Sequence, residues 1–238
     1  HGDRAAVRVS GTDHRGRPEG SIVEVLERNT KEIVGRLYEE SGICFVVPDN
    51  PRIGHRVLVP RQHLNDARPG QVVLVKLVEQ PSKTAQPLGH ISRVLGEHAA
   101  PGMETDIAIH SHGLPFEFPP EVGAEVEAFG SSVPAGAKRG RVDVPDLPLV
   151  TIDGEDPRYY HDAVYCEPLR GGSWRLLVAI ADVASYVTPN GPLDREAQLR
   201  GTSVYFANRV LPMLPEALSN GLCSLNPQVD RLCMVCEM

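Results

Sequence analysis

The chain has 238 residues, 41% of them hydrophobic, and a formal net charge of −7 at pH 7. That length and apolar content suit one large or two modest globular domains, and no apolar run approaches the roughly 18 to 20 residues that would span a bilayer. The lack of a signal-peptide pattern and the odd number of five cysteines argue against a secreted disulfide framework, so we expect a cytoplasmic protein without a membrane partner.

The first residues predict two strands. One runs from His1 to Val9 and the other from Ser21 to Leu26, and a polar, turn-rich stretch from Gly11 to Gly20 separates them. Because the chain begins with His rather than Met, we expect that it has been cut or processed. Two strands cannot close a barrel alone, so this segment should dock on the next domain or be mobile.

The next segment alternates short apolar runs with turn residues. The five predicted strands are Ile33–Glu39, Ile43–Pro48, Arg56–Val59, Gln71–Glu79 and Gly89–Leu95. Five short strands at this spacing predict a small Greek-key barrel of the oligonucleotide-binding (OB) type.

This predicted barrel carries candidate groups for binding a nucleic acid. OB-type barrels hold single strands with aromatic platforms and a basic groove. Phe45 and Tyr38 either stack on bases or are ordinary barrel residues. Arg52, Arg56 and Arg61 are the candidates for phosphate contacts, and a solvated surface is the alternative for each.

An acidic connector follows the barrel. It predicts two helices, Gly102–His110 and Pro119–Phe129, the second with prolines at its start and acids in its first turns, where the helix dipole favours them. The stretch from Ser131 to Arg141 is rich in Gly, Ala and Ser, which is typical of a linker. We expect a domain boundary near it.

A dense polar cluster begins where an apolar run, Leu147–Ile152, ends. Its members are Asp153, Glu155, Asp156, His161 and Asp162. Carboxylates this close repel one another unless a cation neutralises them, and Mg²⁺ prefers oxygen ligands. The cluster is therefore either a metal site at the end of a buried strand or a solvated acidic loop, which is common on protein surfaces.

The C-terminal part predicts two strands and a helix. The near-continuous apolar run Trp174–Ala181 predicts a strand covered on both faces. Asp182, at its end, either joins the acidic cluster or has a structural hydrogen-bonding role. Leu193–Gly201 predicts a helix. Cys233–Cys236 could be a redox pair or half of a zinc site, but its apolar surroundings favour a buried strand.

From Asp146 to Met238 the chain closely resembles the start of the catalytic domain of ribonuclease R and ribonuclease II, the processive 3′→5′ exoribonucleases. The resemblance rests on several long matching segments, among them D-L-P-L-V-T-I-D-G-E-D, D-A-V-Y-C-E, V-A-I-A-D-V, R-G-T-S-V-Y-F and L-P-E-A-L-S-N-G-L-C-S-L-N-P. Four Asp residues organise the magnesium site of that family. The first and fourth fall on Asp153 and Asp162, whereas Tyr159 and His161 occupy the second and third positions.

The resemblance also implies a division into four parts. Residues 1–30 are the remnant of a first cold-shock-like OB domain, 31–97 a second such domain, 98–145 the acidic connector and linker, and 146–238 the N-terminal part of an RNB ribonuclease catalytic domain. The expected fold class is thus β-rich with an α/β portion: a five-stranded OB-type barrel, then the incomplete start of a mixed α/β RNB domain.

The function implied by the resemblance is hydrolysis of single-stranded RNA from its 3′ end to nucleoside 5′-monophosphates. Mg²⁺ or Mn²⁺ would sit at Asp153 and Asp162, Tyr205 would stack on the 3′-terminal base, and the ribosome or other RNA-decay factors would be further partners. Because Tyr159 and His161 replace two acids of the catalytic site, we expect this chain itself to be inactive. The alternative is a non-catalytic RNA- or protein-binding fragment or degenerate relative.

Overall fold

The computed structural model describes residues 2–82, 85–144, 147–154 and 159–238. These residues divide into two compact units, His1–Leu114 and Pro115–Met238, each with its own hydrophobic core. Within the described ranges, every helix is too short or too polar to cross a membrane.

The first unit begins with an antiparallel hairpin of β1 (Arg4–Thr12) and β2 (Pro18–Glu27). Both predicted strands are present, but β1 begins and ends three residues later than predicted and β2 extends beyond both of its predicted ends. The carboxylate of Asp13 closes the turn, because it accepts hydrogen bonds from the backbone N–H groups of Arg15 and Arg17 at 2.8 and 2.9 Å. The pairing shifts register at three places, as bulged and strongly twisted hairpins do.

A closed barrel follows the hairpin. Its strands are β3 (Glu32–Glu40), β4 (Ile43–Pro48), β5 (Val57–Leu58), β6 (Gln71–Glu79) and β7 (Leu88–Glu97). Around the barrel the order is β3-β4-β5-β7-β6, with β5 parallel to β7 and the other pairs antiparallel. The predicted five-stranded OB-type barrel is therefore confirmed.

The barrel interior is filled by fully buried aliphatic side chains, among them Leu37, Val46 and Val73. Strands β3 and β4 approach each other closely at one glycine. A Cβ atom on Gly35 would lie 2.3 Å from the carbonyl oxygen of Val47. Only glycine fits there, as expected where two backbones approach closely.

Helix α1 (Met103–Ser111) packs on the outside of the barrel and confirms the first predicted helix. Its buried Met103 joins a second apolar cluster with Val34, Val72 and Leu74. Strands β3 and β6 are consequently covered on both faces over part of their length, which explains the adjacent buried apolar residues Ile33–Val34 in β3 and Val72–Val75 in β6.

The second unit combines helices with a small sheet. Its main elements are α2 (Pro120–Phe129), β8 (Asp162–Pro168), β9 (Trp174–Ala181), α3 (Pro192–Arg200), β10 (Val204–Tyr205), β11 (Val210–Leu211), a π-helix (Ala217–Leu222) and β12 (Cys233–Glu237). The sheet order is β12-β9-β8, and β10 and β11 form a separate short hairpin. This is the expected mixed α/β portion.

Contacts between side chains and backbone fix helix α3 in this unit. The carboxylate of Glu125, on α2, accepts a hydrogen bond from the backbone N–H of Leu193 at 2.9 Å, which satisfies one of the unpaired donors in the first turn of α3. Near its end, Arg200 pairs with Glu196 at 2.8 Å, both side chains being buried. The Arg200 guanidinium also lies 3.7 Å from the ring centroid of Phe118.

Strand β9 has the predicted bounds, but the expectation that both of its faces are covered is wrong. Leu177, Ala179 and Ala181 are buried on one face, whereas Ile180 on the other face is 50% exposed. An apolar run predicts a strand, yet it does not specify whether a second layer covers the outer face.

The other C-terminal expectations are met in part. The Cys233–Cys236 segment forms strand β12 as expected, but Cys236 is exposed rather than buried, because β12 lies at the edge of the sheet. The stretch Ser131–Arg141, expected to be a linker, is docked on the second unit. Val133 lies in its core, and Lys138 forms an ion pair with Asp230.

Candidate functional site

An aromatic pair lies on adjacent strands of the barrel. The β3–β4 register places Tyr38 directly opposite Phe45, and their rings stack with centroids 5.9 Å apart and planes 16° from parallel. Phe45 is only 5% exposed, whereas Tyr38 is 37% exposed. Phe45 thus acts as a buried support, and Tyr38 offers the accessible ring.

Two arginines flank this pair. The guanidinium of Arg36 lies 5.4 Å from the Tyr38 ring centroid, and that of Arg56 lies 4.7 Å from the Phe45 ring centroid. Both distances are within the range of cation–π attraction. Arg36 was missed by the sequence reasoning, although alternation along a strand puts it two residues before Tyr38 on the same face.

The predicted phosphate-binding arginines are not all in one place. Arg56 lies 3.6 Å from Glu40, and Arg61 lies 2.6 Å from Glu39. Exposed pairs of this kind contribute only about 0 to 1 kcal/mol, so a phosphate can replace the carboxylate. Arg52 lines a different feature, a cleft of about 450 Å³ beside the β1–β2 hairpin.

The second candidate site is built on a segment with a fixed backbone. The N–H of Tyr160 donates to the hydroxyl of Ser224 at 3.0 Å, and its carbonyl oxygen accepts from the N–H of Leu225 at 2.7 Å. The carbonyl oxygen of His161 accepts from the N–H of Ala181, the last residue of β9, at 2.9 Å. The segment is therefore held by two separate parts of the second unit.

Three side chains come together at this segment. The rings of Tyr159 and His161 are 4.5 Å apart between centroids, as expected for alternate residues of extended chain. The hydroxyl group of Tyr159 is hydrogen-bonded to that of Tyr205, which extends from the β10–β11 hairpin. Because Tyr205 is 62% exposed, the cluster is open to solvent.

The acidic residues predicted for the metal site do not form a cluster like that of Tyr159, His161 and Tyr205. Asp162 is exposed and begins β8 opposite Ile180, and Asp153 is also exposed. Glu155 and Asp156 lie outside the described residues. Among the residues that the structure does describe, no three His, Cys, Asp or Glu side chains converge in a metal-binding group.

The side chains present fit Mg²⁺ poorly. Magnesium requires near-octahedral oxygen coordination and is usually bound through one or two carboxylates with water and substrate phosphate. At two of the four expected acidic positions the chain offers the phenol of Tyr159 and the imidazole of His161, and these contact other aromatic groups.

Of the two roles that the sequence left open for Asp182, the structure shows the structural hydrogen-bonding one. Its Oδ2 atom accepts hydrogen bonds from the hydroxyl of Ser185 at 2.7 Å and from Nη2 of Arg141 at 2.6 Å. These two hydrogen bonds hold the pKa of the Asp182 carboxyl below its ordinary value. Asp182 therefore fastens the segment before the acidic cluster to the end of β9.

Comparisons with known proteins agree with this architecture. A cold shock domain model matches residues 45–119, and an RNB domain model matches residues 141–238. The chain is 56% identical to ribonuclease R of Vibrio cholerae and 55% identical to ribonuclease R of Escherichia coli. Each alignment covers the whole chain but only 29% of the relative, so the chain spans less than a third of the length of these relatives.

The fold is similar to that of a solved relative. The structure of Mycoplasma genitalium RNase R in complex with ribose-methylated single-stranded RNA matches 99% of this chain and 38% of its own, with a TM-score of 0.87 and 28% identity. The same protein in complex with double-stranded RNA matches with a TM-score of 0.82. The chain therefore carries a cold-shock domain ahead of RNB-domain residues, and ribonuclease R proteins match it over its whole length.

Proposed function

We propose that this chain binds single-stranded RNA as part of a cytoplasmic 3′→5′ exoribonuclease of the ribonuclease R type. The observation that carries the proposal is the Tyr38–Phe45 stack with Arg36 and Arg56 beside it. Aromatic rings and cations on one barrel face are the two elements that single-strand-binding barrels combine. The RNA bound in the two M. genitalium complexes supports the same ligand class.

In this proposal the barrel uses base stacking and phosphate contact together. A base stacks on the exposed ring of Tyr38, which Phe45 supports from beneath. Arg56 and Arg61 move from Glu40 and Glu39 to the phosphates on either side of that base. Because both ion pairs are exposed, breaking them costs little compared with the gain from releasing counterions from RNA.

The RNB part is proposed to receive the RNA 3′ end, with Tyr205 as the ring that stacks on the last base. Hydrolysis to nucleoside 5′-monophosphates would need Mg²⁺ or Mn²⁺, for which Asp153 and Asp162 are the proposed ligands. Tyr159 and His161 cannot replace the two missing carboxylates, so we propose that this chain has little or no metal-dependent nuclease activity of its own.

A second candidate is a non-catalytic RNA- or protein-binding protein. The observation that favours it is the hydrogen bond between Tyr159 and Tyr205, which joins a replaced acidic position to the proposed base-stacking ring. Such a protein would hold an RNA end without cleaving it. The ribosome and RNA-decay factors remain proposed partners under either function.

One experiment separates the two candidates. The chain is incubated with 5′-labelled single-stranded RNA and either Mg²⁺ or Mn²⁺, and the products are resolved on native and denaturing gels. A mobility shift without shortening supports RNA binding alone, whereas a ladder of shortened products shows exonuclease activity. The absence of both, at protein concentrations well above the micromolar range, would contradict the proposed RNA binding.

A further inference from the structure

We propose that the side chains of Tyr159, Tyr205 and His161 form a binding site for a ferric ion. The site goes beyond the proposed RNA-binding function and does not depend on it. Its basis is the convergence of two phenol oxygens and an imidazole ring at one solvent-accessible position of the second unit.

The positions of the Tyr159 and Tyr205 hydroxyl oxygens suit two ligands of one metal ion. Oxygen ligands about 2 Å from an octahedral metal ion lie about 3 Å apart at adjacent positions, and the hydroxyl oxygens of Tyr159 and Tyr205 are already in hydrogen-bonding contact. Replacing the shared proton by a metal ion requires only a small separation of the two rings. The ring of His161, 4.5 Å from that of Tyr159 between centroids, can bring a nitrogen to the same ion by rotating about its side-chain bonds.

The protein backbone holds these ligands in place before any ion binds. Two hydrogen bonds anchor Tyr160, between the two ligands of the segment, and a third anchors the carbonyl oxygen of His161 to β9. Tyr205 is paired with Val210 across the β10–β11 hairpin. Ligands whose backbone is held by hydrogen bonds in this way bind metal with little further ordering.

The donor set selects the ion. A phenolate is a hard, anionic oxygen ligand, and tyrosine is a known ligand of iron in haem proteins, while imidazole also suits iron. A trivalent ion can displace phenol protons at neutral pH, whereas Mg²⁺ is bound mainly by carboxylates and water. Binding of Fe³⁺ releases the two phenol protons, as metal binding to protonated ligands does.

The test is optical and needs neither RNA nor nuclease activity. The chain, freed of metal with a chelator, is titrated with ferric nitrilotriacetate. We expect a visible phenolate-to-iron charge-transfer band that saturates at one iron per chain and shows tyrosinate vibrations in its resonance Raman spectrum. An excess of Mg²⁺ should leave the band unchanged.

Matched variants assign the ligands. Tyr159→Phe and Tyr205→Phe should each reduce the band by at least half and weaken iron binding at least tenfold, and His161→Gln should weaken binding without abolishing the band. Tyr165→Phe, which removes a phenol bonded to Glu167 in the same sheet, should bind iron like the original chain. Circular dichroism confirms that each variant is folded. The proposal is overturned if no band forms, or if the Tyr159→Phe/Tyr205→Phe double variant keeps it.

Discussion

Arg141 donates a hydrogen bond from Nη2 to Oδ2 of Asp182, over 2.6 Å, and so joins the end of the docked segment Ser131–Arg141 to the end of strand β9. The same Asp182 oxygen accepts from Ser185. Because Asp182 is buried, its charge depends on these two donors for stabilisation. The pair also leaves Asp182 unavailable as an additional carboxylate for the acidic cluster.

We expect Asp182→Ala to lower the free energy of unfolding of the second unit by about 1 to 3 kcal/mol at pH 7, because it removes two hydrogen bonds to a charged group and the carboxylate that pairs with Arg141. The chain has one tryptophan, Trp174 in β9, so its fluorescence during urea unfolding reports on this unit. An equal loss for Glu216→Ala, an exposed carboxylate of the same unit, would contradict a specific role of Asp182.

The effect of Asp182→Ala should depend on pH in a defined direction. The hydrogen bonds from Ser185 and Arg141 lower the folded-state pKa of Asp182. Its contribution is therefore fully present above the ordinary aspartate pKa of about 3.9 and is lost as the pH falls through the lower folded value. The stability difference between the original chain and Asp182→Ala should accordingly be constant from neutral pH down to about pH 5 and shrink below about pH 4.

If a base stacks on the barrel at Tyr38, removal of that ring should weaken RNA binding strongly. Tyr38→Ala should weaken binding of single-stranded RNA by about 1 to 3 kcal/mol, since stacking of a base on an aromatic side chain contributes about that much. Tyr38→Phe should bind almost as well because it keeps the ring. Fluorescence anisotropy with a labelled oligonucleotide measures both, and equal affinity of Tyr38→Ala and the original chain would rule out a stacking role.

The arginines should determine the salt dependence of RNA binding. Replacing Arg52, Arg56 and Arg61 together by Ala should reduce the slope of log K against log salt concentration by about 0.7 for each phosphate that is no longer neutralised, or about 2 if all three arginines bind phosphate. Because Arg52 lies at a separate cleft, the single variant Arg52→Ala tells whether the bound RNA reaches that cleft. Unchanged affinity and slope in the triple variant would exclude phosphate binding at these positions.

Neutralising the acids that pair with Arg56 and Arg61 should have the opposite effect on RNA binding and serves as a control. Glu39→Gln and Glu40→Gln release Arg61 and Arg56 from their ion pairs. The double variant should bind RNA more tightly than the original chain, with a steeper salt slope, because two cations become available and two repelling charges are removed.

The sequence predicted local structure well where strand and turn signals agree. The strands Ile43–Pro48, Gln71–Glu79 and Trp174–Ala181 have the predicted bounds, since apolar runs ended by turn residues specify where a strand starts and stops. The exposed face of β9 was not predictable, because a single strand contains no information about the layers packed around it.

The candidate site was only partly predictable for a similar reason. Tyr159 and His161 could be recognised as departures from an acidic pattern by position alone. Their contact with Tyr205 depends on the chain path through β8, β9 and the β10–β11 hairpin, which no local pattern encodes. The division of the predicted arginines between the barrel face and the cleft also arises from the closed barrel.

The last prediction concerns the two replaced acids. In a chimera that joins this chain to the remaining catalytic domain of the V. cholerae relative, we expect little or no Mg²⁺-dependent hydrolysis of single-stranded RNA. If each missing carboxylate contributes about 2 kcal/mol to transition-state stabilisation, the joint loss is roughly a thousandfold in rate. Tyr159→Asp combined with His161→Asp restores both negative charges and removes the Tyr159–Tyr205 hydrogen bond, so the double variant should recover hydrolysis. Adding Asp162→Asn to the double variant should abolish it again, which separates restored metal binding from a general effect on folding. Release of nucleoside monophosphates, measured at matched RNA occupancy, decides the matter: equal and robust activity before and after the double substitution would show that Tyr159 and His161 do not impair the site.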